Sequence, residues 1–241
     1  AHYVLSTSLI NAKKYEEALT SISRAIELIQ SDDLTDEKIN ELCVEYFLLR
    51  AKTYYQLKDY DQSIVDFSNV INLDSGNVVA LVTRAKLYLQ LKNYDAAHAD
   101  FDRVIATYQN YGSYINTLKA RAYRQEKKYQ EACEAYDKVF SCDKKWKDSF
   151  DIYECFLEKA LLQKLFLKDL EGAKQTYDKC IKRYPEKPEP YWLRGKLYDQ
   201  SLNRKEEAQS DFKHAITLIT ESENPSSYNK LLSDIQSHLS V

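Results

Sequence analysis

The chain is poor in the residues that interrupt helices. Its 241 residues include four glycines and four prolines. A fold built on many tight turns needs more of both, so long helices joined by short loops are expected. No apolar run approaches the ~18 residues of a membrane span, and no secretory leader pattern opens the chain; no membrane insertion is expected. Net charge is −3 and the pI about 5.9, which argues against nucleic acid or anionic lipid as a partner held by bulk charge. The five cysteines, Cys43, Cys133, Cys142, Cys155 and Cys180, form no CxxC pair and are odd in number. They read as reduced, buried thiols of an intracellular, cytoplasmic protein and not as a disulfide frame or zinc site. The sequence Asn224-Pro225-Ser226 is no glycan acceptor because of its proline. Methionine is absent, even at position 1, so a fragment or processed form is expected.

What the chain has is repetition. "RAKTYYQLKDYDQSIVDFSNVI" from Arg50 is followed by "RAKLYLQLKNYDAAHADFDRVI" from Arg84, so that Tyr60 returns as Tyr94 and Phe67 as Phe101. A period in this range signals a solenoid. Six units fit. Each has two apolar periodic stretches around a short loop, often Lys-x-Tyr. The first stretch carries a small residue: Ser6, Ala51, Ala85, Ala120, Ala160 or Gly195. The second carries another, Ala18, Ser63, Ala97, Ala132, Ala173 or Ala208, and four residues later Ile22, Phe67, Phe101, Tyr136, Tyr177 or Phe212. Spacings of three and four put these on one helix face. Small residues let two backbones approach, the large side chain fills the remaining gap, and a helix pair buries its second face only by stacking on the next.

This pattern resembles the tetratricopeptide repeat family, whose motif runs W-x2-L-G-x2-Y, A-x3-F, A, P. The resemblance implies an all-α, right-handed α-solenoid over 1–220, with repeats at about 1–30, 41–77, 78–111, 113–144, 149–186 and 188–220. The Leu-Gly pair of the motif becomes Arg50-Ala51, Arg84-Ala85, Lys119-Ala120, Lys159-Ala160 and Arg194-Gly195, and only Pro185 keeps the closing proline. Two spacings are stretched, around 31–40 and 143–149. Thr35 before Asp36 and Glu37 suits a helix start; both insertions are expected to lengthen the following first helix. Trp146 in the second is a candidate contact anchor. Tyr228, Leu231, Leu232, Ile235 and Leu239 recur at helical spacing in 221–241, as a capping helix requires.

No catalytic site, metal site or cofactor is expected. The four histidines are scattered, and "RGKLY" at 194–198 lacks the remainder of a phosphate loop. The resemblance instead implies a concave face lined by first helices that holds a partner. The residue after the small one is Lys52, Lys86, Arg121 and Lys196 in units two, three, four and six, with Leu161 in unit five, and four further along from these cations come Gln56, Gln90, Gln125 and Gln200. A basic ladder beside a glutamine ladder, with apolar steps between, suits an acidic or amphipathic protein or peptide segment; glutamines can pair with its backbone. Trp192 is an apolar anchor in the same face, with helix packing as the competing role. Members of the family that grip heat-shock C-termini do so with Lys, Asn and Arg on successive first helices; here those positions hold Tyr3, Thr7, Leu49, Val79 and Thr83, so no such clamp is expected. The reading is a non-catalytic adaptor or scaffold. The alternatives are a structural subunit that uses its convex side and insertions, or the repeat portion of a larger co-chaperone or enzyme.

Overall fold

The structure, a computed structural model, describes residues 2–31, 35–141 and 152–239. Trp146 and the rest of the second insertion lie outside them. Among the described residues there are thirteen α-helices and no strand. They are α1 (His2–Asn11), α2 (Tyr15–Ser31), α3 (Asp36–Gln56), α4 (Tyr60–Leu73), α5 (Val78–Gln90), α6 (Tyr94–Thr107), α7 (Gly112–Gln125), α8 (Tyr129–Ser141), α9 (Ile152–Leu162), α10 (Leu170–Arg183), α11 (Pro188–Leu197), α12 (Lys205–Glu221) and α13 (Asn229–Leu239). They form two compact units, Ala1–Tyr111 and Gly112–Val241.

In the first unit consecutive helices from α1 to α6 pack on one another. The expected small residues sit at the contacts: Ala18, Ala51, Ala85 and Ala97 are inaccessible, as are Phe67 and Phe101. Ser6 and Ser63 take alanine-sized places and satisfy their hydroxyls internally, Ser63 Oγ donating to the Ala51 carbonyl at 2.8 Å and Ser6 Oγ to the His2 carbonyl at 2.9 Å. Thr35 caps α3 by accepting from the Lys38 N–H. The first insertion does lengthen its helix, since α3 has 21 residues against 13 in α5.

In the second unit α7 to α12 pack in the same succession and α13 closes on α12. Ala120, Ala132, Ala160, Ala173 and Tyr136 are fully buried. Gly195 marks a close approach of α11 to α12: a Cβ there would lie 2.4 Å from Phe212 Cε1 and 3.3 Å from the Ala208 carbonyl. The capping helix contributes Ile235, inaccessible against the cluster of Trp192, Phe212 and Ile219.

Each first helix ends on a residue in the left-handed region: Lys13, Lys58, Lys92, Lys127, Lys168 and Asn203, with φ from 52° to 63°. The next residue caps the second helix in several units; Asp59, Asn93 and Asp169 accept from the N–H three residues on. The last two first helices each carry one extra residue. Gln163–Leu167 and Tyr198–Leu202 form π-turns that absorb it. In α3 the turn closes from the Asp59 N–H to the Tyr54 carbonyl; the widened turns close from Asp169 to Gln163 and from Arg204 to Tyr198, one residue farther, at 2.9 Å. Gln163 becomes a buried bracket, accepting from Thr176 Oγ1 at 2.6 Å.

Candidate functional site

In three first helices the cation preceding the small residue is an arginine that points inward. Arg50 donates to both carboxylate oxygens of Asp66 at 2.7 and 2.8 Å and to Ser23 Oγ at 3.1 Å. Arg84 repeats this with Asp100 at 2.8 and 2.6 Å and with Ser68 Oγ at 2.8 Å. Arg194 does so with Asp211 at 2.8 and 2.7 Å and with Asp178 at 2.6 Å. Each arginine therefore binds its own second helix with two prongs and the preceding repeat's second helix with a third. Burial opposes the charge of Arg194, but the hydrogen bonds to Asp211 and Asp178 outweigh it and raise its pKa. Where the own-helix aspartate is replaced, by Ala135 or Thr176, the cation is a lysine, Lys119 or Lys159. Lys159 donates to Asp137 of the preceding repeat at 2.6 Å and lies over the Phe140 ring at 6.0 Å. The planar fork appears where the repeat's own second helix offers a carboxylate, and the point charge where it does not.

With that position spent on packing, the residue two places on is presented outward in the second and third repeats. Lys52 and Lys86 are exposed, as are Gln56 and Gln125. Gln90 is exposed too, and donates to the Tyr60 hydroxyl at 2.7 Å, tying neighbouring repeats together. Arg121 pairs with Glu158 of α9 at 3.0 Å; Arg124 reaches the same carboxylate at 3.6 Å, and the Tyr136 hydroxyl donates to it. Burial and, after it, Glu158 push the Tyr136 phenol far up. Lys196 lies over the Trp192 ring at 5.1 Å. Trp192 itself is only 6% exposed, packed on Phe212 and edge-on to His238; its ring is a floor beneath Lys196. The structure thus leaves Lys52, Gln56 and Gln125 presented, keeps Lys86 exposed, and engages Arg121, Gln90 and Trp192 internally. Sequence reasoning missed Glu158 as the acid that meets Arg121, and the inward arginines altogether.

Among the described residues no group of His, Cys, Asp and Glu is arranged to hold a metal ion. No helix there is long and apolar enough to cross a membrane.

Tetratricopeptide repeat models match residues 54–122, 154–187, 113–145 and 188–221. No curated protein matches the sequence. Among solved structures, the C-terminal part of a TPR repeat-containing protein from Cytophaga hutchinsonii superposes with TM-score 0.66 at 12% identity, over 98% of this chain and 85% of that one. The crystal structure of MamA protein gives TM-score 0.57 at 16% identity, over 78% and 96%. A tetratricopeptide repeat protein from Parabacteroides merdae gives 0.51 at 20%, over 97% and 81%. At these identities the likeness speaks for the fold. That fold is a protein-interaction fold, generally non-catalytic, whose members bind proteins or peptides. The matched repeats, the buried small-and-aromatic pattern and the superposed structures agree that this chain belongs to the tetratricopeptide repeat family.

Proposed function

We propose that the chain is an adaptor or scaffold module that holds a segment of a partner protein along the face made by its first helices, and that it does so without catalysis. The observation that carries this is the division of labour between residues two apart: Arg50 and Arg84 are turned inward onto Asp66 and Asp100, while Lys52 and Lys86 stand exposed on the same helices. Cations presented at one register on successive helices, with Gln56 beside them, suit an extended segment with acidic and apolar side chains. An intracellular setting accords with Cys43, Cys133, Cys155 and Cys180, all buried free thiols; burial pushes Cys133 up to about 11 and Cys180 up to about 12.

The test is affinity capture from native cells with the wild-type chain and a Lys52→Glu/Lys86→Glu variant whose folding is verified by circular dichroism. Loss of a defined set of partners is the expected result. An unchanged partner list refutes the first-helix face as the binding surface and favours the structural-subunit reading.

A further inference from the structure

Arg121 uses its guanidinium differently from the inward arginines. Arg50, Arg84 and Arg194 each spend the Nε and Nη2 edge of the fork on an aspartate, and Nη1 on a further acceptor, Ser23, Ser68 or Asp178. Their side chains are 20%, 14% and 18% exposed. Arg121 spends the same edge on Glu158, at 3.3 and 3.0 Å. Its Nη1 has no acceptor among the described residues, and its side chain is 40% exposed. One turn along α7, Arg124 is 42% exposed and brings Nη1 to 3.6 Å from the same carboxylate, too far for a hydrogen bond. The outer edge of one fork and nearly the whole of another are therefore open at one place, fixed by the carboxylate they share. That carboxylate also accepts from the Tyr136 hydroxyl. Tyr136 is fully buried, so a withdrawal of Glu158 would strand its hydroxyl. Glu158 is thus a fixed inner wall, and two positive charges share its one negative charge.

Charge and shape say what fits there. The end of a guanidinium takes two oxygens of one group. A carboxylate offers two oxygens and one negative charge, which cancels the surplus. A phosphate monoester carries about two negative charges and would bring the excess against Glu158. The neighbours extend the match. Leu161, 46% exposed, stands three residues after Glu158 on α9 and so shares its face. An apolar residue next to the acid can cover it, which a free small anion would not do. Gln125, exposed four residues after Arg121, shares the face of α7 that carries the fork, and its amide can pair with the backbone of a segment.

We infer that Arg121 and Arg124 form an acid-reading site between α7 and α9, where they receive an Asp or Glu side chain from within a partner segment while Leu161 meets its apolar neighbour. Glu158, held by Tyr136, is a positioning residue that sets the forks and leaves a surplus of one charge. This rests on the proposed function and gives the first-helix face of the second unit a location and a ligand chemistry.

The probe is a short, acetylated, amide-ended peptide that alternates Glu with Leu, titrated into the full chain by calorimetry. Its comparisons carry Gln or phosphoserine in place of Glu. The Glu peptide is expected to bind about tenfold tighter than the Gln peptide and at least as tightly as the phosphoserine peptide. Arg124→Gln is expected to weaken the Glu peptide about tenfold and leave the Gln peptide unchanged. Arg183→Gln, the same loss of charge at a partly buried position on α10, leaves both unchanged. Leu161→Ser weakens both. Glu158→Gln keeps an acceptor for Tyr136, enlarges the surplus charge, and is expected to shift preference toward the phosphoserine peptide, which a purely structural carboxylate would not do. The Arg124 guanidinium makes no hydrogen bond among the described residues, so Arg124→Gln folds, as circular dichroism will verify. Equal binding of the Glu and Gln peptides, tighter binding of the phosphoserine peptide to wild type, equal effects of Arg124→Gln and Arg183→Gln, or an unchanged preference in Glu158→Gln overturns the inference. Glu-peptide binding lost in Lys52→Glu/Lys86→Glu but kept in Arg124→Gln overturns this site alone and leaves the first-helix face as the binding surface. If the wild-type chain does not bind the Glu peptide, the acid-reading site is refuted, and the face itself is then judged by cellular capture with Lys52→Glu/Lys86→Glu.

Discussion

Replacing Arg84 by methionine keeps the length of the side chain and removes the fork that holds Asp100. The Asp100 side chain is 4% exposed and that of Arg84 14%, so the carboxylate cannot turn to water for compensation. Breaking a buried pair from one side costs about 3–5 kcal/mol. An independent ceiling comes from neutralising the stranded acid: protonating an ordinary aspartate at pH 7 costs about 4 kcal/mol, at 1.36 kcal/mol per pH unit. Both routes give about 3–4 kcal/mol for Arg84→Met at pH 7. Because the ceiling falls with pH, the deficit shrinks by about 1.4 kcal/mol for each unit toward pH 5. The double variant Arg84→Met/Asp100→Leu removes the stranded charge and is expected within about 1 kcal/mol of wild type. Urea unfolding followed by circular dichroism gives the stabilities, and hydrogen exchange shows whether the loss is centred on α5 and α6, as nearest-neighbour stacking requires. A single-variant cost below about 1 kcal/mol, or a double-variant cycle without coupling, would falsify the claim that this contact holds α5 to α6.

Further outcomes follow from other contacts. Gly195→Ala is expected to destabilise by about 1–2 kcal/mol, overpacking against Phe212 outweighing the better helix propensity of alanine; Phe212→Leu in the same chain should recover part of the loss in a thermal melt. Lys92→Gly relieves a left-handed lysine at φ 60° and should stabilise by about 0.5–1 kcal/mol, the net of steric relief over glycine's entropy; a melting temperature at or below wild type contradicts it. Burial raises Asp178, but hydrogen bonds from Lys174 and Arg194 prevail and hold its pKa below the usual carboxylate range. Its contribution is therefore complete above the unfolded value and lost as pH falls through the folded one. Acid titration should open the α10–α11 contact in wild type, whereas an Asp178→Asn chain, weaker at neutral pH, should lose less on acidification.

The repeat and its core were legible because burial acts on residue size at fixed spacing. Ala51, Ala85, Ala97, Phe67 and Phe101 are inaccessible where the periodicity placed them, and Thr35 caps the helix whose start it signalled. The inward arginines were not legible in the same way. Arg50 and Arg84 registered as departures from the family's Leu-Gly, and their partners lie 16 residues on, beyond any single helix face. The available signal was the pairing itself, Arg with Asp in three repeats and Lys wherever Ala135 or Thr176 replaces the Asp. The outward ladder was legible in part. Lys52 and Lys86 are exposed as their register suggests, but Arg121 meets Glu158, 37 residues away, and Trp192 is buried by His238, 46 positions along the chain. Such encounters depend on how one repeat stacks on the next, which spacing within a repeat does not encode. The one-residue excess in the last two first helices was visible as longer spacing, yet its resolution as a π-turn needed coordinates. It also explains why Arg194 finds Asp211 after 17 residues where Arg84 finds Asp100 after 16.

The two-pronged arginine contact is closed within a single repeat, and only its third prong reaches backward. A copy of residues 78–111 excised at its loops would carry its own counter-charge with it, leaving no stranded acid in the parent or the duplicate. Gene duplication of such a unit is electrostatically neutral at birth. A unit of the Lys159 kind is different, because its counter-ion, Asp137, sits on the neighbour; moved alone, it leaves its own lysine buried without a counter-charge. Insertions and rearrangements in chains of this design should therefore be tolerated at arginine-bearing repeats and resisted at lysine-bearing ones.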